Sequence, residues 1–214
     1  MMKLDGKDVV GLGPMQDEMK AMGIPSHWNN YITVDDVDAM VTVVKDNGGT
    51  VVAEPFDVFE SGRMMVIQDP TGANVALWQP KNHIGSGVVN KPGAVLWNEL
   101  STRDVEKAKE FFNKVLGWEY KTDENNYTVI LNNGRNNGGM IQMDDSWGDM
   151  PPVWMTYFNI EDLDAAINKI PEIGGKVIMG KTSVGDVGEF AVVADPTGAV
   201  FTVMQANQVE PWEE

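Results

Sequence analysis

The feature that most constrains the fold is a four-residue phrase, Asp-Pro-Thr-Gly, that the chain contains twice. The two copies begin at Asp69 and Asp195, which stand 126 residues apart (195 minus 69). The repetition extends well beyond these phrases, because residues 5–80 correspond in order and residue type to residues 133–206. Self-similarity over such a length predicts that the chain builds one supersecondary unit several times.

The repeated unit has the pattern of a β-α-β-β-β module. A first strand is predicted over residues 27–34, Asp35 or Asp36 then caps a helix, and three strands follow. The Asp-Pro-Thr-Gly phrase joins the last two strands, and its residue order suits a type I turn. The same order recurs at 153–206 and at 94–143. Helical spacing predicts the buried helix faces Val37, Met40, Val41 and Val44; Ala108, Phe111, Phe112, Val115 and Leu116; and Leu163, Ala166, Ile167 and Ile170.

Residues 93–132 have no counterpart earlier in the chain. The expectation is that the chain lacks roughly the first forty to fifty residues of a symmetric two-domain protein. The predicted organisation is an incomplete N-terminal domain at 1–80 (a residual strand at 9–15 plus one module), a linker at 81–92, a complete two-module domain at 93–207, and a tail at 208–214.

Composition and charge exclude several classes of function. The formal net charge is −16, which repels phosphate backbones and argues against a nucleic-acid partner. No run of 18 apolar residues occurs, so no membrane-spanning helix is predicted. The absence of cysteine excludes disulfides and thiolate chemistry and is consistent with a cytoplasmic protein.

With these modules in place, the chain resembles the vicinal oxygen chelate superfamily, which includes glyoxalase I, extradiol dioxygenases and bleomycin-resistance proteins. The resemblance is carried by "VDDVDA" and "IEDLDA" after a first strand, "VEKAKEFFNKVLGW" on a module helix, and "DPTGANVALWQ" at a last strand. It is similar to a two-domain glyoxalase-like protein without its first N-terminal module. The resemblance implies an α+β fold in which tandem βαβββ modules pair into curved, cup-like mixed sheets, with a divalent metal in the cup.

The residues at the metal-ligand positions of that family argue against a metal here. The resemblance places the first-strand histidines at Asn29, Trp97 and Met155, and the last-strand glutamates at Ala76 and Thr202. These side chains do not hold a hard or borderline divalent ion. Of the two histidines, His27 shares the strand parity of Asn29 but stands without partners, and His83 falls in the linker. No metal and no cofactor are therefore predicted.

A small-molecule pocket is the remaining candidate site, with ordinary sheet core as the alternative interpretation. Apolar and aromatic side chains with a few polar groups are typical of such pockets. Glu99 is the ionisable member and a weak candidate for a catalytic base, although pairing with Arg103 or Arg135 is the more common role for such a residue. The predicted lining consists of Trp97, Glu99, Gln142, Met155, Tyr157, Thr202 and Met204.

Three functions are compatible with this sequence. The first is a metal-free glyoxalase/bleomycin-resistance-like protein that binds a small molecule. The second is a metal-dependent lyase or dioxygenase, and the third is a degenerate module with only an assembly role. A homodimer through residues 1–80 is also predicted. A lone module would expose an apolar sheet face containing Tyr31, Ile67 or its neighbours, and Trp78.

Overall fold

A computed structural model of the protein describes residues 1–209. Its contacts group the chain into two compact units, which are described one at a time. Of the described residues, unit 1 comprises 1–28, 85–97 and 155–209, and unit 2 comprises 29–84 and 98–154. The domain boundaries predicted from the repeat, 1–80, 81–92 and 93–207, follow the modules and differ from the limits of these two units. They stay a prediction. Of the predicted tail 208–214, residues 210–214 lie outside the described residues.

Three segments of the chain have the order β-α-β-β-β. No helix among the described residues is long and apolar enough to cross a membrane. A short 3-10 turn at Asp145–Trp147 precedes the last module. The elements are β1 (Met2–Leu4), β2 (Lys7–Val10), α1 (Asp17–Ala21), β3 (Tyr31–Thr33), α2 (Val37–Asp46), β4 (Thr50–Val58), β5 (Gly62–Gln68), β6 (Asn74–Pro80), β7 (Val95–Thr102), α3 (Val105–Leu116), β8 (Glu119–Thr122), β9 (Thr128–Asn132), β10 (Arg135–Gln142), β11 (Val153–Asn159), α4 (Leu163–Glu172), β12 (Lys176–Ser183), β13 (Gly188–Ala194) and β14 (Val200–Ala206).

Each of the three modules contributes four strands in the same mixed arrangement. The first strand of each module pairs parallel with its last strand, as β3 does with β6, β7 with β10, and β11 with β14. The remaining neighbours within each module are antiparallel, in the orders β3-β6-β5-β4, β7-β10-β9-β8 and β11-β14-β13-β12. The predicted α+β class, with βαβββ modules forming curved mixed sheets, is confirmed.

Each module helix begins with the same two contacts. An aspartate at the N-cap accepts a hydrogen bond from the backbone N–H three residues later, which satisfies one of the orphan donors of the first turn. Asp36, Asp104 and Asp162 fill this role at 3.0, 3.0 and 2.8 Å, so Asp36 is the cap of the first helix.

A glutamine at the end of the last strand satisfies a second orphan donor of each helix. The side-chain oxygens of Gln79, Gln142 and Gln205 accept from the backbone N–H groups of Val37, Val105 and Leu163 at 3.0, 3.2 and 2.9 Å. Each last strand is thereby tied to the start of its own helix, and the same device is used in all three modules.

Replacing Gln205 with Leu is expected to lower the free energy of unfolding by about 1 kcal/mol, because the Leu163 N–H loses its acceptor. The matched control is Gln208→Leu, since Gln208 is exposed and lies beyond the strand. Urea denaturation of the two variants measures the difference. Equal midpoints would show that the contact does not stabilise the fold.

The two Asp-Pro-Thr-Gly phrases are turns held by their own aspartates. Oδ1 of Asp69 accepts from the N–H and hydroxyl of Thr71, both at 2.7 Å, and from the N–H groups of Gly72 and Ala73. Asp195 accepts from Thr197 and Ala199 in the same way. The phrase therefore recurs because each copy closes the hairpin before a last strand.

The two turn aspartates differ in burial, and their pKa values move in opposite directions. Burial raises the pKa of Asp69, whose Oδ2 is buried without a hydrogen-bond partner. Burial also opposes ionisation of Asp195, but hydrogen bonds from Thr197 and Ala199 outweigh it and lower the pKa of that carboxyl.

These directions predict opposite effects of pH on stability, measured as the unfolding free energy of the wild type minus that of an Asn variant. For Asp69→Asn the difference is largest below the ordinary aspartate pKa, about 3.9, and falls as pH rises through the higher folded pKa. For Asp195→Asn it is largest at neutral pH and falls as pH drops through the lower folded pKa. Urea titrations from acid to neutral pH test both; parallel curves would contradict the assignment.

The core of unit 2 joins its two modules. Phe111 and Phe112 of α3 are fully or almost fully buried in one cluster with Val37 and Val44 of α2. A side chain at Gly49 would come within 2.8 Å of the Phe111 ring, so the first module leaves room there for α3. The helix faces predicted for α2 and α3 are confirmed, with Met40, Val41 and Leu116 partly buried against the cluster.

The core of unit 1 lies between α4 and its sheet. Leu163, Ala191 and Val193 are fully buried there, with Ile167 and Ile170 packed against them. An aromatic cluster adds Trp28, whose ring centroid lies 5.2 Å from that of Phe158 and 5.6 Å from that of Phe201.

The position of Trp28 corrects the predicted strand 27–34. The structure has a strand only at Tyr31–Thr33, and Trp28 instead packs edge-on against Phe158 and Phe201 in unit 1. Edge-to-face aromatic pairs of this kind add stability beyond their buried area, and here they override the local strand preference.

The N-terminal residues form a short hairpin in unit 1. Strands β1 and β2 pair across Asp5 and Gly6, which both have positive φ. Residues 85–97, which also belong to unit 1, are held to this hairpin because the Gly87 N–H donates to the Asp8 carbonyl at 2.7 Å. The predicted strand 9–15 is wrong in its bounds, because β2 covers Lys7–Val10 and no strand follows before Tyr31.

Candidate functional site

The inner face of the last module is the side of its sheet that lies opposite α4. Register fixes its members, because directly paired residues place their side chains on the same face and residues two apart share it. Tyr157 pairs with Thr202, Thr202 with Val192, and Phe190 with Met204. Two predicted pocket positions on different strands, Tyr157 and Thr202, are thus adjacent.

The exposed part of this inner face is aromatic. Tyr157, Phe190 and Val192 are half-buried, whereas Thr202 and Met204 are buried. The rings of Tyr157 and Phe190 lie 6.1 Å apart with an interplanar angle of 51°. Phe190 and Val192 were not among the predicted residues. Counting outward from the Asp195 turn would have found them, because antiparallel hairpin partners are equidistant from their turn.

Thr202 carries an unusual feature for a fully buried residue. Its hydroxyl has no hydrogen-bond partner among the described residues. Buried polar groups in native proteins are nearly always paired, so such a group calls for an explanation. The hydroxyl can donate to or accept from a group that the folded chain itself does not provide.

A depression of about 460 Å³ lies at the end of the same strands. Asn159, which pairs with Met204 on the inner face, lines it together with Asn90, Lys91 and Ala206. The Asn159 side chain donates to the Asn90 carbonyl at 3.2 Å, which holds one wall in place. The lining of the depression is thus largely polar, and Asn159 is the residue that it shares with the inner face.

The two remaining apolar residues of the predicted pocket lie on the first strands of the second and third modules. Trp97 on β7 and Met155 on β11 are both half-buried in unit 1. Met155 shares the inner face with Tyr157, since the two stand two residues apart on one strand.

Glu99 lies in unit 2. The sequence had suggested that an arginine, Arg103 or Arg135, would be its partner. The hydroxyl of Tyr127 donates to Oε2 of Glu99 at 2.8 Å. Arg103 instead donates to the backbone carbonyls of Asp144, Gly148 and Met150 and so holds the loop before β11. Tyr127 was missed because it precedes its strand by one residue and belongs to no motif.

Gln142 is engaged in the helix-start contact described above. Its side chain accepts from Val105 N–H and donates to the carbonyl of Arg103. Gln142 lies on the face of β10 that packs against α3, since Met140, two residues earlier, is buried in the core with α3. Its pocket role stays a prediction.

The residues at the family's metal positions do not form a donor set. Ala76 is buried against Met64 and Trp78, and Asn29 is exposed. Nδ1 of His27 lies 2.8 Å from the Pro25 carbonyl. Within residues 1–209 no group of three or more His, Cys, Asp or Glu is arranged to hold a metal ion. The chemistry these residues supply is apolar contact and hydrogen bonding.

Comparison with solved structures supports the fold. The Mn(II)-bound glyoxalase from Novosphingobium aromaticivorans superposes with a TM-score of 0.57 at 15% sequence identity, covering 84% of this chain and 62% of that one. The chain thus spans less than two thirds of that protein, and the likeness concerns the fold alone.

Comparison with known sequences identifies the family. CFP32 of Mycobacterium bovis, which carries a provisional glyoxylase name, is 40% identical over 209 residues, or 96% of this chain and 79% of that protein. The anthracycline biosynthesis protein DauV of Streptomyces sp. strain C5 is 32% identical over 93% of this chain and 72% of that protein. The sequence profile of one superfamily matches residues 4–77 and 92–203. The chain therefore belongs to the glyoxalase/bleomycin resistance protein/dioxygenase superfamily.

Proposed function

We propose that this chain is a metal-free binding protein for a small aromatic molecule, and that the ligand lies on the inner face of the last module. The observation that carries the proposal is the buried, unpartnered hydroxyl of Thr202 beside the half-exposed ring of Tyr157. An apolar surface with one polar group aimed at the ligand is the usual construction of small-molecule sites.

The charge of the chain narrows the ligand class. A formal charge of −16 disfavours anions and favours neutral or cationic molecules. The rings of Tyr157 and Phe190 provide apolar area for a planar ligand, and the Thr202 hydroxyl can bond a ligand oxygen.

The names of two relatives guide the choice of probe. DauV and DnrV are named for anthracycline biosynthesis, and both are 32% identical to this chain. Anthracyclines are polycyclic aromatic molecules with several oxygens, which suits the class inferred from the inner face. Daunorubicin and the simpler anthraquinone quinizarin are therefore suitable probes.

A fluorescence titration of the purified chain with daunorubicin tests the proposal. We expect saturable one-to-one binding in the presence of a chelator, with quinizarin competing for the same site. Failure of both probes to bind, or binding that requires added Mn²⁺ or Zn²⁺, would contradict it. Turnover of a methylglyoxal–glutathione adduct would favour a metal-dependent lyase instead.

A homodimer through residues 1–80 is part of the proposed assembly. Strand β3 is an edge strand of its sheet within the described residues, and Tyr31 on it is more than half exposed. Trp78 lies on the same sheet face as Tyr31, whereas Ile67 faces the helices in the unit 2 core. A second copy would cover the Tyr31 edge. Sedimentation velocity measures the association state.

A cytoplasmic location is likewise proposed, on the basis of a chain without cysteine. Cell fractionation followed by immunoblotting tests it, and recovery of the protein only outside the cytoplasm would contradict it.

A further inference from the structure

The depression at the end of the last module's strands holds three amide side chains that are each fixed at one end. The Nδ2 atoms of Asn159 and Asn207 donate to backbone carbonyls at 3.2 and 3.1 Å. Oε1 of Gln205 accepts from the Leu163 N–H at 2.9 Å. All three amides line the depression, so the fold itself sets their orientation there.

The other end of each amide has no partner in the part of the chain that the structure describes. Oδ1 of Asn159 and Oδ1 of Asn207 accept no hydrogen bond there, and Nε2 of Gln205 donates none. In the second module the chain does satisfy the equivalent group, because Nε2 of Gln142 donates to the Arg103 carbonyl. The depression thus presents two fixed acceptors and one fixed donor to a ligand.

One cation and one anion complete the polar lining. Lys91 and Glu161 are both exposed, and neither forms an ion pair within residues 1–209. Their formal charges cancel, so the lining is neutral although the whole chain carries −16. A neutral lining in an acidic chain does not attract a phosphate or another anion.

Donors and acceptors on a neutral surface suit a polyhydroxylated ring. Each hydroxyl of a sugar both donates and accepts, so it can bond an amide oxygen and an N–H group at once. The C–H faces of the sugar ring are apolar, and Pro92 and Ile160 supply apolar surface for them. The volume of about 460 Å³ lies within the ~300–1,000 Å³ of small-molecule sites. Amides that are already ordered also lower the entropy cost of binding.

Asn159 connects the depression to the aromatic inner face. It follows Tyr157 by two residues on β11 and shares the same face of the sheet. Strand geometry separates the Cα atoms of the two residues by about 7 Å. An aromatic ring and a sugar joined through one glycosidic oxygen can span this distance. A single ligand can therefore place its ring against Tyr157 and its sugar against Asn159.

We propose that the depression is a sugar-binding subsite and that the ligand of the last module is a glycoside of an aromatic molecule. The inference rests on the binding function proposed above and adds the chemical class of the ligand. The aromatic part lies on the inner face, and the sugar hydroxyls bond to the side chains of Asn159, Gln205, Asn207, Lys91 and Glu161.

A fluorescence titration with quinizarin and with its 1-O-glucoside tests this inference, because the two probes share one aromatic system and differ in a neutral sugar. We expect the wild type to bind the glucoside about tenfold more tightly than quinizarin. The double variant Lys91→Ala/Glu161→Ala keeps the net charge of the chain. It should lose most of the preference for the glucoside, whereas its affinity for quinizarin should stay within about twofold of the wild type.

Lys169→Ala/Glu172→Ala is the matched control, since this exposed pair of α4 removes the same two charges outside the depression. Its affinity for both probes should equal that of the wild type, and circular dichroism should show an intact fold in every variant. Quinizarin binding without a gain for the glucoside would overturn the sugar subsite and leave the aromatic site standing, as would equal glucoside affinities in the two double variants. Glucoside binding that depends on Lys91 and Glu161 but not on Tyr157 would support the sugar subsite and contradict the aromatic site. Binding of neither probe would overturn both.

Discussion

Replacement of Phe112 with Ala is expected to lower the free energy of unfolding by about 3–5 kcal/mol. The ring is fully buried and contacts three aromatic neighbours, with centroids 5.0 Å from Phe111, 5.3 Å from Trp118 and 5.6 Å from Trp154. Its removal leaves a cavity in the core shared by the two modules of unit 2. Such a loss is a large fraction of the total stability of a typical domain, about 5–15 kcal/mol.

Phe56→Ala is the matched control for this measurement. Phe56 lies in the same unit but is 43% exposed, so its truncation should cost less than about 1 kcal/mol. Urea denaturation followed by tryptophan fluorescence and by circular dichroism gives both values. If the two variants lost similar stability, Phe112 would not lie at the centre of a shared core.

Replacement of Tyr157 with Ala is expected to weaken daunorubicin binding by about tenfold or more, because its half-buried ring supplies aromatic contact area on the inner face. Thr202→Val keeps the side-chain shape but removes the unpartnered hydroxyl. We expect it to stabilise the free protein by about 1 kcal/mol and to weaken binding of an oxygen-bearing ligand several-fold. A Thr202→Val variant that is more stable but binds the ligand more weakly would show that the hydroxyl serves binding. A variant that gains stability without losing affinity would show that the hydroxyl is only a packing defect.

Tyr31→Ala serves as the control, since Tyr31 belongs to the other unit and is half exposed. Its daunorubicin affinity, measured by fluorescence in the same buffer, should equal that of the wild type. If Tyr157→Ala bound daunorubicin as tightly as Tyr31→Ala does, the inner face of the last module would not be the binding site.

The elements with strong local signals were predictable from the sequence. Helix α3 is an example, because Asp104 caps it, Gly117 ends it with a φ of +71°, and the spacing of Phe111 and Phe112 assigns its buried face. The Asp-Pro-Thr-Gly turns were equally clear, since Asp69 satisfies the turn by itself. Local chemistry fully specifies these features.

The features that depend on distant contacts were not predictable. Trp28 stands in a sequence with strand character, but its partners Phe158 and Phe201 lie over a hundred residues away. Gln142 continues a strand pattern, yet its side chain turns to a helix start 37 residues earlier. For the candidate site, strand parity placed Tyr157 and Thr202 in the lining of one predicted pocket, but their direct pairing and the presence of Phe190 required the register of the strands.

Native mass spectrometry of the purified chain, after incubation with daunorubicin and separately with Mn²⁺ and Zn²⁺, shows whether the chain binds the aromatic molecule without a metal. We expect one daunorubicin per chain without added metal, loss of that adduct in Tyr157→Ala, and no stoichiometric Mn²⁺ or Zn²⁺ after dialysis, because Asn29, Ala76, Trp97, Met155 and Thr202 are poor ligands. One tightly held metal ion per chain, with daunorubicin bound only to the metal-loaded form, would contradict it.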